Sequence, residues 1–283
     1  MEVKKLGVVG CGQMGGGIVQ TAAQAGLDVK VTEANDALLE KGMNAIKSIL
    51  SRNVEKGKMT KAEMDGILSR IQGSTKFSDF ADRDLVIEAV TENMELKTKL
   101  FTELDKICPP GAILATNTSC LSIIDMAMVT KRPDKVLGIH FFNPVPLMKL
   151  AEVVKTIATS PETLAAGKQF GEKMGKKVVI AQDSPGFIVN RLVVPFLLNA
   201  IRMLDTGAAT KEDIDAGVNL GLNHPMGPLA LTDLIGLDTT LFIANAMYYE
   251  LKDPQYAAPS LLNKMVIAGW LGRKTGKGFY EYK

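Results

Sequence analysis

Cysteine is scarce in this chain. Its three residues, Cys11, Cys108 and Cys120, are odd in number and widely scattered. They make no disulfide framework, which points to a reducing compartment, and no spacing among them resembles a metal site. Long apolar runs are missing too: every uninterrupted stretch is a few residues, against about 18 for a membrane span. The N-terminal apolar run is broken by glycines and too short for a signal peptide. Neither sign of charge dominates, with 33 Lys plus Arg against 31 Asp plus Glu and a formal net charge of +2. That balance argues against a nucleic-acid or membrane-surface partner, which would call for concentrated basic charge. What remains, 46% apolar and 23% charged residues over 283 positions, is the make-up of a globular cytoplasmic protein of one large or two modest domains.

Alternating patterns fill the first two thirds. Val3–Val9 is apolar and β-rich and runs into Gly10-Cys11-Gly12-Gln13-Met14-Gly15. Met14–Ala25 then reads as a helix closed by Gly26, and Asp28–Glu33 as a second strand, which together make a βαβ unit. Asp36–Lys56 is a long amphipathic helix. Strands follow at Asp84–Val90, Ala112–Thr116, Lys135–His140 and Lys177–Ala181, with another expected at Lys149–Thr156. Helices are expected at Asn93–Ile107 and Pro161–Met174. The pattern predicts an α/β fold with a Rossmann-type, mainly parallel sheet covered on both faces. After Asp183-Ser184-Pro185-Gly186 only helices are recognisable. The expected division is therefore a dinucleotide-binding domain over 1–184 and an all-helical domain over 185–283. Phe187–Leu204 is apolar nearly all round, so it should be buried on every side. A domain of roughly 100 residues struggles to do that alone, which makes a subunit interface, and a homodimer or higher homo-oligomer, the expectation.

Several residues carry chemistry. Gly10, Gly12, Gln13, Met14 and Gly15 form a G-x-G-x-x-G loop between a strand and a helix, the setting in which backbone N–H groups and a helix N-terminus receive a pyrophosphate. Glu33, at the end of the second strand, can accept from ribose hydroxyls and would repel a 2′-phosphate; no Arg or Lys stands at 34–36. NAD is thus favoured over NADP, with a different dinucleotide such as FAD, or an empty glycine turn, as the alternatives. His140 is one of two histidines and falls at a strand end, facing the crevice where such sheets bind ligands. It suits a general acid/base, with Glu152 as counter-charge if the chain doubles back after Pro146; a packed histidine and a solvated Glu152 fit the spacing equally well. Thr116-Asn117-Thr118-Ser119 offers hydroxyl and amide groups at another strand end, or an N-cap for a helix near Leu121. Asn190 puts an amide on the apolar helix, where it needs a partner. His224, in a Pro-Gly turn, reads as structural. Arg52, Lys56 and Lys58 cluster at a helix end, which a solvated basic face would equally explain.

These segments, with Pro185–Arg191, His224–Pro228 and Gly272–Tyr280, resemble the L-3-hydroxyacyl-CoA dehydrogenases. The likeness spans nearly the whole chain, with six separated motifs in order. It implies reversible NAD-linked oxidation of a 3-hydroxyacyl-CoA. The compact length is most similar to bacterial members acting on the four-carbon pair (S)-3-hydroxybutyryl-CoA and acetoacetyl-CoA; a broader chain-length enzyme of fatty-acid β-oxidation is the runner-up. The resemblance further implies His140 as acid/base with Glu152 as its partner, Ser119 and Asn190 positioning the reacting oxygen and thioester, and Arg52 and Lys56 on the CoA phosphates. Glu92, Lys97, Asn117, Ser119, Asn143 and Lys274 would contact NAD. Cys120 departs from the family's usual serine. A non-catalytic, crystallin-like protein on the same scaffold is disfavoured by the joint presence of Ser119, His140, Glu152 and Asn190.

Overall fold

The computed structural model describes residues 2–282. Its strands are β1 (Lys5–Val9), β2 (Asp28–Thr32), β3 (Ile71–Ser74), β4 (Leu85–Glu88), β5 (Ile113–Thr116), β6 (Val136–Phe141), β7 (Leu150–Lys155) and β8 (Lys177–Gln182). The helices among them are α1 (Gln13–Gln24), α2 (Asp36–Glu55), α3 (Lys61–Leu68), α4 (Met94–Ile107), α5 (Ile123–Met128) and α6 (Pro161–Lys173). Beyond residue 185 come α7 (Val189–Asp205), α8 (Lys211–Gly221), α9 (Pro228–Ile235), α10 (Leu237–Leu251) and α11 (Ser260–Ile267). The segment 57–83, for which the sequence suggested no element, holds α3 and β3. Their brevity and weak apolar pattern hide them; β3 has only Ile71 buried among Ile71, Gln72, Gly73 and Ser74.

All eight strands join one sheet in the order β3-β2-β1-β4-β5-β6-β7-β8. Every pairing is parallel except β6 with β7, which is antiparallel. β1 lies between β2 and β4, so the chain winds outward in both directions from it, and the crevice where strand order reverses opens at its C-terminal end. The central strands are buried throughout, as strands covered on both faces must be, and β4, β5 and β6 are apolar except for Glu88, Thr116 and His140 toward their C-terminal ends.

The chain divides into two compact units, Met1–Ser184 and Pro185–Lys283. In the second, α7 packs against α9, α10 and α11. Val194, Leu197, Leu198, Ala200 and Ile201 are buried on it, but Leu192 is 71% exposed and Met203 47% exposed. One flank of α7 thus finds no cover within its own chain. Among the described residues no single helix is long and apolar enough to cross a membrane.

Two buried aspartates organise this unit. Asp215 accepts from the N–H groups of Leu229 and Ala230 at 2.8 and 3.0 Å, capping α9. A Cβ on Gly227 would fall 2.3 Å from its carboxyl carbon, which accounts for glycine in the His224–Pro228 turn. His224 itself meets the Phe196 ring at 5.7 Å between centroids. Asp233 accepts from the N–H groups of Phe279 and Tyr280 and from the Tyr282 hydroxyl, each at 2.9 Å. Burial and that bond push the Tyr282 phenol up to about 12. The glycine-rich tail is thus a brace closed on one carboxylate. Asp233→Ala leaves two N–H groups without an acceptor and should cost roughly 2–5 kcal/mol. Urea unfolding checks this, with a midpoint within error of wild type counting against the brace.

Candidate active site

The C-terminal ends of β1, β4, β5 and β6 lie side by side along one edge of the sheet, and the first unit's polar side chains gather there. At β1 the Gly10–Gly15 loop is held tightly. Gly10 has φ +96°, and a Cβ on Gly15 would lie 1.9 Å from the Gly10 carbonyl oxygen. Both positions therefore require glycine for the protein's own geometry. Gly12 does not: its φ is −71° and an added Cβ would meet nothing within 4 Å. What Gly12 leaves open is the approach to the N-terminus of α1. That terminus has no capping side chain and no acidic residue in its first turn, whereas Asn35, Asn93 and Ser160 cap α2, α4 and α6. An uncapped positive helix end behind an open backbone fits a dinucleotide pyrophosphate. Glu33 closes the loop from below, accepting the Cys11 N–H at 2.6 Å and the Ala34 N–H at 3.1 Å.

His140 sits in the last turn of the pleat of β6 and is nearly buried. The antiparallel register places Glu152 of β7 directly opposite it. Residues so paired point to the same face with Cβ atoms about 5 Å apart, and Nδ1 of His140 lies 2.7 Å from Oε2 of Glu152. Glu152 is wholly buried. The chain does double back after Pro146, and the carboxylate is no solvated bystander. Phe142 covers the imidazole, ring centroids 4.6 Å apart.

The Thr116–Ser119 run is bound to two carboxylates. Thr116 donates to Glu88 at 2.8 Å. The Thr118 hydroxyl donates to Glu92 at 2.8 Å, and Ser119 donates to the same group from its N–H at 2.8 Å and its hydroxyl at 3.1 Å. Thr118 also accepts from the Leu121 N–H, but Leu121 precedes the helix, which begins at Ile123, so the run closes a local turn and the expected N-cap is corrected. The following helix, α5, takes its own cap from afar: Asp183 accepts from the N–H groups of Ile123 and Ile124. Burial raises the Asp183 carboxyl above its ordinary range. Lys97 ties the two carboxylates together, its ammonium 2.6 Å from Glu88 and 3.4 Å from Glu92. Glu88 and Lys97 are buried outright. Sequence reasoning passed over Glu88. The available signal was a carboxylate ending an otherwise apolar buried strand, which can stay charged only beside a counter-charge.

Other expected residues fall variously. Gln13 donates to Asn143 at 3.1 Å, joining the glycine loop to the segment after His140. Asn117 accepts from the Phe141 N–H at 3.0 Å, linking the ends of β5 and β6. Met14 is half-buried in the first turn of α1. Cys120 is buried, and burial pushes its thiol up to about 12, so it is not a reactive thiolate. Arg52 lies in the last turn of α2 and Lys56 follows as its C-cap residue; both are exposed. Asn190 and Lys274 belong to the second unit. Asn190 is the half-buried second residue of α7, and Lys274 pairs with Asp238 at 2.5 Å.

Known proteins resemble this chain over its full length. The family profile described as 3-hydroxyacyl-CoA dehydrogenase, NAD binding domain, matches residues 5–184, and the C-terminal domain of the same enzymes matches 186–282. The chain is 49% identical to the probable 3-hydroxybutyryl-CoA dehydrogenase of Bacillus subtilis over 283 residues, covering 100% of this chain and 99% of that one. It is equally 49% identical to the 3-hydroxybutyryl-CoA dehydrogenase of Mycobacterium tuberculosis, covering 99% of each. Among solved structures, FadB2 of M. tuberculosis superposes with a TM-score of 0.98 at 48% identity over 100% of both chains. The (S)-3-hydroxybutyryl-CoA dehydrogenase of Ralstonia eutropha gives 0.96 at 45% identity, again over 100% of both. A Rossmann-type unit with a dinucleotide loop, a buried His–Glu pair at its strand ends and these full-length matches place the chain in the 3-hydroxyacyl-CoA dehydrogenase family, with NAD as its cofactor.

Proposed function

We propose that this chain interconverts (S)-3-hydroxybutyryl-CoA and acetoacetyl-CoA, with His140 as the general acid/base. The carrying observation is the buried Nδ1–Oε2 contact of 2.7 Å between His140 and Glu152 at the crevice edge. The cofactor held by the glycine loop would supply hydride to C3 as NADH in reduction and accept it as NAD⁺ in oxidation. With Nδ1 engaged by Glu152, proton exchange with the substrate falls to Nε2 of His140. In reduction Nε2 gives its proton to the C3 oxygen, converting the ketone to the hydroxyl; in oxidation it removes that proton. Glu152 holds the ring in the required tautomer and balances its positive charge. Ser119 and Asn190 are the residues we assign to the reacting oxygen and the thioester.

On the cofactor side, Gly10, Gly12, Gln13, Met14 and Gly15 receive the pyrophosphate and Glu33 the adenosine ribose. We assign Glu92, Lys97, Asn117, Asn143 and Lys274 to the remainder of the cofactor, Lys97 acting through the carboxylates it joins. Three free, buried cysteines suit a reducing, cytoplasmic setting. We assign the open flank of α7, with Leu192 and Met203, to a homodimer contact.

The purified protein should oxidise NADH on addition of acetoacetyl-CoA, and NADPH less effectively. Silence with acetoacetyl-CoA, or faster turnover of longer 3-ketoacyl-CoA thioesters, would replace the four-carbon assignment. His140→Ala should lower kcat by roughly 10²–10⁴ and leave NADH affinity near wild type.

Arg52 and Lys56 provide exposed positive charge for the distant CoA phosphates. Contacts there persist unchanged from ground to transition state, so they act as uniform binding. Arg52→Ala/Lys56→Ala should raise KM for acetoacetyl-CoA with kcat unchanged, and flatten the rise of KM with salt. An unaltered KM at low salt would move the CoA site elsewhere.

Light scattering at micromolar concentration should give at least twice the 30.5 kDa chain mass. Leu192→Glu should shift the protein toward monomer; a wild-type monomer would remove α7 as an interface.

A further inference from the structure

Lys176 lies between α6 and β8, flanked by the exposed Lys173 and Lys177. It is instead 8% exposed, and that burial lowers its pKa. Its backbone is anchored where α6 ends. Gly175 adopts φ +73°, and the Lys176 N–H donates back to the Gly171 carbonyl at 3.1 Å, the closure expected of a helix finishing in a left-handed residue. Its ammonium donates to two backbone carbonyls, Val145 at 2.5 Å and Met148 at 2.9 Å. Among the described residues no carboxylate pairs with it. A buried ammonium without a counter-ion is costly, and Leu or Met would fill the same space without that cost. The cost is understandable where the two carbonyls must be held.

Both carbonyls belong to the turn 142–149 that carries the chain from β6 to β7. The turn bears Phe142, which covers the His140 ring, and Asn143, which accepts from Gln13. Within it, the N–H groups of Leu147 and Met148 both donate to the Pro144 carbonyl at 3.0 Å. On its other side Val145 presses on α1, where a Cβ at Gly17 would come to 3.0 Å of the valine Cβ. The turn is therefore fixed against α1 on one side and against Lys176 on the other.

We propose that Lys176 is a positioning residue for the reaction: by fastening the Val145 and Met148 carbonyls to the end of α6, it holds Phe142 on His140 and Asn143 at the glycine loop. The inference rests on the roles given to His140 and Asn143 above. Small displacements of groups around a reacting centre are expensive, a shift of about 1 Å costing up to about 100-fold, whereas the residues assigned to the CoA phosphates stand at the end of α2, outside this turn.

The test compares wild type with Lys176→Met, which keeps the aliphatic stem and removes the donors, and with Lys176→Gln, which restores a donor. Wild-type reduction of acetoacetyl-CoA is the baseline, and its failure would refute the proposed function, not this inference. Lys176→Met should lower kcat roughly 10- to 100-fold and weaken NADH binding several-fold, with KM for acetoacetyl-CoA within about twofold of wild type. Lys176→Gln should recover part of the loss. Amide hydrogen exchange should quicken at Leu147 and Met148 in the Met variant while β6 and β7 stay protected. Unchanged kcat and NADH affinity in Lys176→Met would overturn the proposal. So would parallel losses in every parameter together with the melting temperature, or failure of both variants to fold, since each would make Lys176 a structural residue only.

Discussion

The reversal of β7 against β6 is the constraint on which the site depends. In a sheet otherwise laid down in parallel around the crevice, this one antiparallel pairing sets Glu152 directly across from His140. Neither side chain needs a loop to aim it; the ladder does so, with both residues buried and 2.7 Å between nitrogen and oxygen. A one-residue slip of register would turn Glu152 to the opposite face of the sheet and separate the pair. The short return through 142–149 is what such a pairing demands, and its own supports, Gly17 and Lys176, come from elements remote in sequence.

A second group of charges stands at the ends of β4 and β5. Glu88, Lys97 and Glu92 place two carboxylates around one ammonium, with Thr116 donating to Glu88 and Thr118 and Ser119 to Glu92. Such a buried group survives because each member is satisfied; removing one leaves the others uncompensated. Its consequence for chemistry is order. The Ser119 hydroxyl is held to Glu92, and Asn117 to the Phe141 backbone, so the crevice presents hydroxyl and amide groups in defined directions. The second unit uses the same device, Asp215 and Asp233 each gathering backbone and tyrosine donors.

Much of this was legible beforehand. The alternation of apolar strands and amphipathic helices announced the Rossmann-type sheet, and glycines at 10, 12 and 15 between strand and helix announced the dinucleotide loop. What escaped notice shares one property: it depends on partners distant in the chain. β3 is a four-residue edge strand defined by its pairing with β2, and Glu88 gains meaning only when α4 brings Lys97 to it. The apolar circumference of α7 suggested complete burial, yet periodicity cannot tell which flank a single chain covers.

Most strands and helices of the first unit and the glycine loop could be read from the sequence alone, because local steric demands and apolar spacing act over a few residues and leave their mark in composition; α3 and β3 could not. Whether His140 had a counter-charge could not be read locally, since a twelve-residue separation fits a hairpin and a solvated loop alike. Only the sheet register decided it. Only tertiary packing, likewise, distinguished Lys176 from the exposed lysines around it, because burial and hydrogen-bond partners are properties of the folded neighbourhood and not of the residue.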